Sequence, residues 1–499
     1  MANKLTVYFT SDVHSYLFST DYASTTPKPM GLLGEIAQFE KDENTLILDG
    51  GDSLQGSPLA YYYHLNGRES PVARAMNLGR YDFVTLGNHD FNYGQEALRN
   101  YLCALDARCL CANVSAPMLP VAPYAIKTMG NGLRVGIVGI VTDWVNRWEK
   151  PANLEGIQVG SPLEAARTAL ENLRGKVDFT IGIYHGGYEK DLQTGRLLSS
   201  SDENIACRIC EDLDFDLLLT GHQHLRLENA VWHGTHIAQT PANGTHFIRV
   251  DVGEDGTIAS SLHPAVIADT SAFENEIAEV NAWLDSPVGT LDRPLWPEDK
   301  IQMALHGTPI ADFFNQVQLA ASGADIACTS LANEMRGFAQ QVTVRDVVAT
   351  YIYPNTLVVL EVDERVLRVA LERCAAYFNE DLTVARDFLE PKVAHYNYDF
   401  FAGIEYTFDL SKPVGERVVS LTRGGAPLSG KYTLVMNNYR ATGVGGYDIY
   451  LQCPHVQEIL TEMSELILDY FARHKRVTVR SERAFRVIRS SGDGAAEEL

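Results

Sequence analysis

Eight cysteines in 499 residues are too few and too scattered for a disulfide framework. Cys207 and Cys210, three apart in "IACRIC", fit a helical turn as buried small hydrophobes better than a redox or zinc pair. No apolar run approaches the roughly 18 residues needed to span a bilayer, so no membrane contact through a spanning helix is expected. The opening "MANKLTVYFTSDVH" alternates like a strand and lacks the apolar run and small-residue cleavage site of an export leader; a cytoplasmic setting is the expectation. Positive charge is also short. The 41 Lys and Arg against 64 Asp and Glu leave a formal charge of −23, which repels polyanions and argues against extended nucleic-acid binding. A small anionic substrate remains compatible if cations or local arginines reverse the field at its site. No internal repeat is found.

What is present is a globular composition, 45% hydrophobic and 21% charged, in a chain too long for one core. In the first half "KLTVYFT", "NTLILDG", "YDFVTLG", "LRVGIVGIV", "VDFTIGIYH" and "FDLLLTGHQH" read as strands, with "MGLLGEIAQFEKDE" and "SPLEAARTALENLRG" as helices between them. Residues 271–287 read as one helix. Ser271 and Glu274 suit a capping box, Phe273, Ile277, Val280 and Leu284 share a face, and Pro287 and Gly289 end it. The expected organisation is a first domain over 1–268, a linker helix over 269–299, a second α/β domain over 300–490 and a frayed polar tail over 491–499. "DERVLRVALERCAAYF" supplies a helix of that second domain, and "TLVVLEV" and "YTLVMNN" supply strands.

The chemistry collects just past the strands, where open α/β sheets place their sites. Asp12 and His14 follow the first strand and Asp52 lies in "DGGDS". Asn88, His89 and Asp90 lie in "GNHDFNYG", His185 in "IYHGG", and His222 and His224 in "GHQH". Alone, each fits an ordinary polar turn. Together, five pieces in order after five strands supply enough oxygen and imidazole donors for two divalent ions without a cysteine. Residues i and i+2 of an extended chain face the same way, so Asp12/His14 and His222/His224 are each expected to converge. Mixed imidazole and carboxylate ligation suits manganese, zinc, iron or cobalt better than calcium or magnesium.

This ordered set resembles the calcineurin-like metallophosphoesterases and, among them, the 5′-nucleotidase family, over nearly the whole chain. The resemblance implies a four-layer α/β/β/α metallophosphoesterase domain and a C-terminal α/β substrate-binding domain joined by a helix. In that family the substrate domain rotates about its connector. It also implies that Asp12, His14, Asp52 and His224 hold one metal and that Asp52, Asn88, His185 and His222 hold the other, with Asp52 bridging. His89 is then free of metal and close to the scissile phosphate, and Asp90 is a local partner. Paired ions ease loss of a proton from water and offset the charge that builds up on phosphate during in-line attack. One departure concerns Asn92, which stands where these enzymes usually carry the aspartate that orients this histidine. An amide can still fix the ring but supports its positive charge less well.

"YIYPNTLVVLEV", "HYNYDFFAGIEYTFDLSKPVGERV" and "MNNYRATGVGGY" resemble the bacterial 2′,3′-cyclic-nucleotide 2′-phosphodiesterase/3′-nucleotidases. The implied base sandwich is Tyr353 and Tyr439, with Asn438 beside it. The following loop carries Gly443 and, where 5′-nucleotidases place a ribose-gripping aspartate, Gly445. Loss of that carboxylate favours cyclic and 3′-phosphates over 5′-phosphates. Arg336, in "TSLANEMRG", is the candidate phosphate contact, although the family's Asn-x-Gly-Gly-x-Arg spacing is missing. The expected activity is hydrolysis of 2′,3′-cyclic nucleotides to 3′-nucleotides and then nucleosides. The alternatives are a 5′-nucleotidase or nucleotide-sugar hydrolase and, from another class, a non-catalytic nucleotide sensor.

Overall fold

Leu5, Val7 and Phe9 alternate with Tyr8 along the strand β1 (Asn3–Thr10), and all four are buried. A strand apolar on both faces has to lie inside a layered structure. The computed structural model describes residues 3–198, 202–353, 355–379, 395–480, 484–490 and 496–499. It divides into two compact units between Val280 and Asn281.

In the first unit β1 pairs in parallel with β2 (Thr45–Asp49), Thr10 standing opposite Asp49, and β2 pairs in parallel with β3 (Phe83–Val84). These are the centre of a seven-stranded sheet, flanked by His246–Gly253 and Ile258–Pro264 on one side and by Arg108–Leu110 and Val121–Ala122 on the other. In a second, six-stranded sheet, β4 (Phe179–His185) lies parallel to β5 (Leu217–Thr220) and to Arg134–Val141. The sheets pack face to face. Leu5, Val7 and Phe9 of one join Ile137, Ile181, Ile183, Leu217 and Leu219 of the other in a single core, each such side chain contributing roughly 1.5–3 kcal/mol of burial. Outside the second sheet lie Pro162–Leu173 and Ala206–Asp212, carrying Cys207 and Cys210 into the core as free thiols. Outside the first, Tyr8 stacks on Phe39, just past the helix Leu32–Ile36. The layers are α/β/β/α, as expected.

Three readings change. The helix expected over residues 30–43 is only Leu32–Ile36 long. The Ser271–Glu274 capping box does not form. Asp269 accepts the Ser271 N–H (2.9 Å) in an Asx turn, Ser271–Phe273 is a short 3₁₀ turn, and the helix is Glu274–Leu284. Pro287 does not merely end that helix: Pro287–Leu291 is a strand paired with Gln341–Thr343 and Arg476–Val477. Residues 269–299 therefore hold one helix and one strand rather than a helix alone.

The second unit is built on a five-stranded sheet in the order Asp399–Ala402, Ile326–Ser330, Tyr432–Asn437, Leu357–Val362, His455–Ile459. The helices Pro309–Ser322 and Glu364–Ala375 supply much of its core. Of the tail expected to fray, residues 491–495 lie outside the described residues, while Ala496–Glu498 pairs with Phe485–Ser490. No helix among the described residues is long and apolar enough to cross a membrane.

Candidate metal centre

The parallel strands deliver their C-terminal ends to one place. Asp12 and His14 follow β1, Asp52 follows β2, Asn88 follows β3, His185 ends β4, and His222 and His224 follow β5. The convergence of the paired residues does not come from extended backbone. Asp12 (φ 56°), His14 (49°), Asp52 (57°), His222 (72°) and His224 (55°) are all left-handed. They are five of the eleven non-glycine residues with positive φ among the described residues. Each such residue costs roughly 1 kcal/mol or more, and strain of this kind gathers at functional sites. Glycines make room: a Cβ at Gly221 would stand 2.6 Å from Asp12 Oδ2, and one at Gly87 would overlap Asp52 Oδ1.

The imidazoles turn their N–H groups outward. His14 Nδ1 donates to Gln55 O (2.8 Å) and His185 Nδ1 to Gly50 O (2.7 Å). His222 Nε2 donates to the Glu203 carboxylate (3.0 Å). Each of these rings turns its other nitrogen inward, where it meets further nitrogen and oxygen atoms of metal-ligand type. His14 Nε2 faces His224 Nε2 at 3.3 Å, and His185 Nε2 faces Asp52 Oδ2 at 3.1 Å and Asn88 Oδ1 at 3.2 Å. His222 Nδ1 faces Asn88 Oδ1 at 2.9 Å. Donors crowded in this way call for cations between them. Among the described residues two groups are tight enough to hold one, Asp12–His14–His224 and Asp12–Asp52–His185, each with its ligand atoms within 4.8 Å of one another. Asp12 is common to both, and Asp52 stands in the second. One oxygen of Asp52 faces His185, while the other accepts the His89 N–H (2.7 Å).

The charges agree with this arrangement. Burial opposes ionisation of Asp12, yet His185 and His224 hold its carboxyl well below the usual range. Burial pulls His185 down, but Asp52 and Asp12 outweigh it and carry the ring up to about 10. The site thus attracts positive charge, and the donor set fits divalent ions of the manganese, zinc, iron or cobalt type.

His89 lies beside this cluster, its ring 5.4 Å from that of His14. Burial first, then the neighbouring imidazoles, lower it to about 4 against the opposing pull of Asp52. Its Nδ1 is buried without a hydrogen-bond partner among the described residues. Neither expected partner orients the ring. Asp90 accepts from the main-chain N–H groups of Gly87 (2.8 Å), Asp52 (2.9 Å), Ser53 (2.8 Å) and Leu54 (2.9 Å), so it braces the Asp52 turn. With its amide oriented to donate, Asn92 reaches the carbonyl oxygens of Asn88 (3.2 Å) and His89 (3.3 Å) and braces the turn from the other side. Sequence reasoning missed Glu203 and Trp148, whose ring stacks on His222 (5.4 Å). A carboxylate distant in sequence from its histidine carries no motif that would reveal it.

In the second unit Tyr353 and Tyr439 are exposed, at 41% and 40%. Burial, then the phenol of Tyr396, raises both, and for Tyr439 the Tyr353 phenol adds to this. Asn438 is exposed, and its main-chain N–H donates to Thr356 O (3.0 Å). Arg336 is exposed and pairs with Asp346 (3.5 Å). Gly443 is left-handed (φ 79°), its N–H donating to Arg440 O (3.0 Å). Gly445 (φ 84°) has a backbone reason to be glycine: a Cβ there would overlap Asn397 Oδ1 and stand 2.7 Å from Arg440 Nη1. Its lack of a carboxylate therefore carries less about substrate than the sequence suggests.

Comparison with known proteins supplies the context. Residues 5–226 match the family described as Calcineurin-like phosphoesterase, and residues 287–452 match 5'-nucleotidase, C-terminal domain. A putative 5'-nucleotidase structure from Staphylococcus aureus is 33% identical, with a TM-score of 0.73, covering 97% of this chain and 99% of that one. The 2',3'-cyclic-nucleotide 2'-phosphodiesterase/3'-nucleotidase of Yersinia enterocolitica is 25% identical over 97% of this chain and 88% of its own length. The trifunctional nucleotide phosphoesterase protein YfkN of Bacillus subtilis is 25% identical over 98% of this chain, which spans only 39% of YfkN.

Proposed function

This chain belongs to the 5′-nucleotidase family of calcineurin-like phosphoesterases, and from that premise we propose that it hydrolyses nucleotide phosphoesters with two divalent cations. On this reading it opens 2′,3′-cyclic nucleotides to 3′-nucleotides and then releases the remaining phosphate. The observation that carries the metal-dependent part is the set of inward ligand atoms on His14, His185, His222 and Asn88, with two buried carboxylates among them.

Asp12, His14, Asp52 and His224 would hold one ion and Asp52, Asn88, His185 and His222 the other, the Asp12 carboxylate also lying within reach of both groups. When bound, such ions ease loss of a proton from water near neutral pH and offset charge on the phosphate oxygens. The chain's own residues do the rest. His89, kept neutral by burial, still has one N–H to offer a phosphate oxygen, and an arriving phosphate dianion favours its protonation for transfer to the leaving alkoxide. Asp90 and Asn92 keep that ring in place by fixing the turn beneath it. Tyr353 and Tyr439 offer exposed rings for a base, stacking being worth on the order of 1 kcal/mol beyond burial. Asn438 and the Gly443–Gly445 loop would contribute beside that base; Arg336, held by Asp346, is the weakest member of the set.

The 3′ and cyclic specificity is supported by likeness to the Yersinia enzyme along almost the whole chain. A second reading, 5′-nucleotidase, is supported by the Staphylococcus structure and by the backbone requirement at Gly445. Phosphate release from 3′-AMP, 2′,3′-cyclic AMP and 5′-AMP separates them. Faster turnover of 5′-AMP would replace the first reading with the second.

A further inference from the structure

We infer that Glu203 is a positioning residue for the metal centre: it holds His222 in the tautomer whose Nδ1 can bind a cation. This rests on the metal-dependent reading above. An ionised carboxylate only accepts, so the 3.0 Å contact to Glu203 Oε1 places the ring hydrogen on His222 Nε2. The opposite nitrogen, Nδ1, then faces Asn88 Oδ1 at 2.9 Å, lone pair to lone pair, with space for a shared positive charge as the natural resolution. The ring is restrained on one face and at its backbone. Trp148 stacks on its face, and the His222 main-chain N–H is bound by Asp12 Oδ1 (2.9 Å).

Glu203 is itself anchored to the second sheet, one strand of which ends in His185. Its main-chain carbonyl accepts from Thr142 Oγ1 (2.9 Å) and from Tyr184 Oη (3.2 Å), and Tyr184 immediately precedes His185. The next residue, Asn204, accepts the Gly187 N–H (2.7 Å). The carboxylate is thus delivered by a segment laced to the second sheet, not by a loose loop. His14 and His185 lean on main-chain carbonyls, whereas His222 leans on a side chain that mutation can remove. Such outer partners typically matter by roughly 10–100-fold in metal affinity.

Cobalt titration of the metal-stripped full chain tests this, followed by calorimetry and by the visible absorption of bound Co²⁺. The wild type should take up two ions. Glu203→Ala should weaken one of them roughly tenfold or more and change its absorption while leaving the other site unaltered. Glu203→Gln keeps an accepting oxygen and should recover affinity to within about threefold of wild type. Ala binding both ions within about twofold of wild type, or Gln failing as badly as Ala, would overturn the role of Glu203. A wild-type chain that takes up no cobalt would instead overturn the metal-dependent reading on which it rests.

Discussion

Asp90 commits both carboxylate oxygens to four main-chain N–H groups, three of them in the Asp52 turn. Asp90→Ala leaves those buried donors without an acceptor, a loss on the order of 3 kcal/mol or more. The expected result is a lower melting temperature together with reduced cation content, read from a thermal melt and metal analysis of one preparation. His89 is the opposite case, since its side chain braces nothing. His89→Ala should keep its cations while kcat falls at least roughly tenfold; a metal-depleted variant would count against a purely chemical role. Gly445 gives a third residue-level outcome. Gly445→Asp should destabilise its loop against Asn397 and Arg440 without shifting the 3′-AMP to 5′-AMP rate ratio, and a shift toward 5′-AMP would restore the glycine as a specificity determinant.

Among the elements, the strands were the readable part. Leu5, Val7 and Phe9, or Ile181 and Ile183, announce a buried strand because apolar side chains on both faces have no other place in a layered fold. The donors were legible for the same reason, each coming straight after such a run. Their backbone was not. Asp and His tolerate the left-handed region without requiring it, and extended geometry predicted convergence by the wrong route. Glu203 was hidden because it stands 19 residues from His222 and is one acid among 64. The capping box at Ser271 failed because Asp269 reached the same N–H first. Gly221 ties strand and site together. Gly221→Ala should leave β5 intact by circular dichroism while abolishing cation uptake, because the added methyl falls on Asp12 and Ser11.

At the scale of the molecule, each unit has its own core, so calorimetry should resolve two unfolding transitions. Manganese at about 100 times its Kd should stabilise only the first unit, by about 2.7 kcal/mol. The second unit should respond to acid. Burial, reinforced by the Lys300 charge, lowers His395 to about 4, below its ordinary 6.5. Between those values the unfolded chain binds the extra proton, so stability is lost as pH falls through that window, by up to about 1.4 kcal/mol per pH unit. The urea midpoint of that transition at pH 7 and pH 5 measures it; no decline would mean that His395 is accessible to water.

The left-handed torsions at Asp12, His14, Asp52, His222 and His224 also bear on redesign. Torsion narrows the alphabet at those positions before coordination chemistry is considered: β-branched side chains are barred and most others strained, while Asp, Asn and His are the tolerated few. Anyone wishing to alter which ion the protein prefers will find those five letters nearly immovable and must work from the neighbours that aim them.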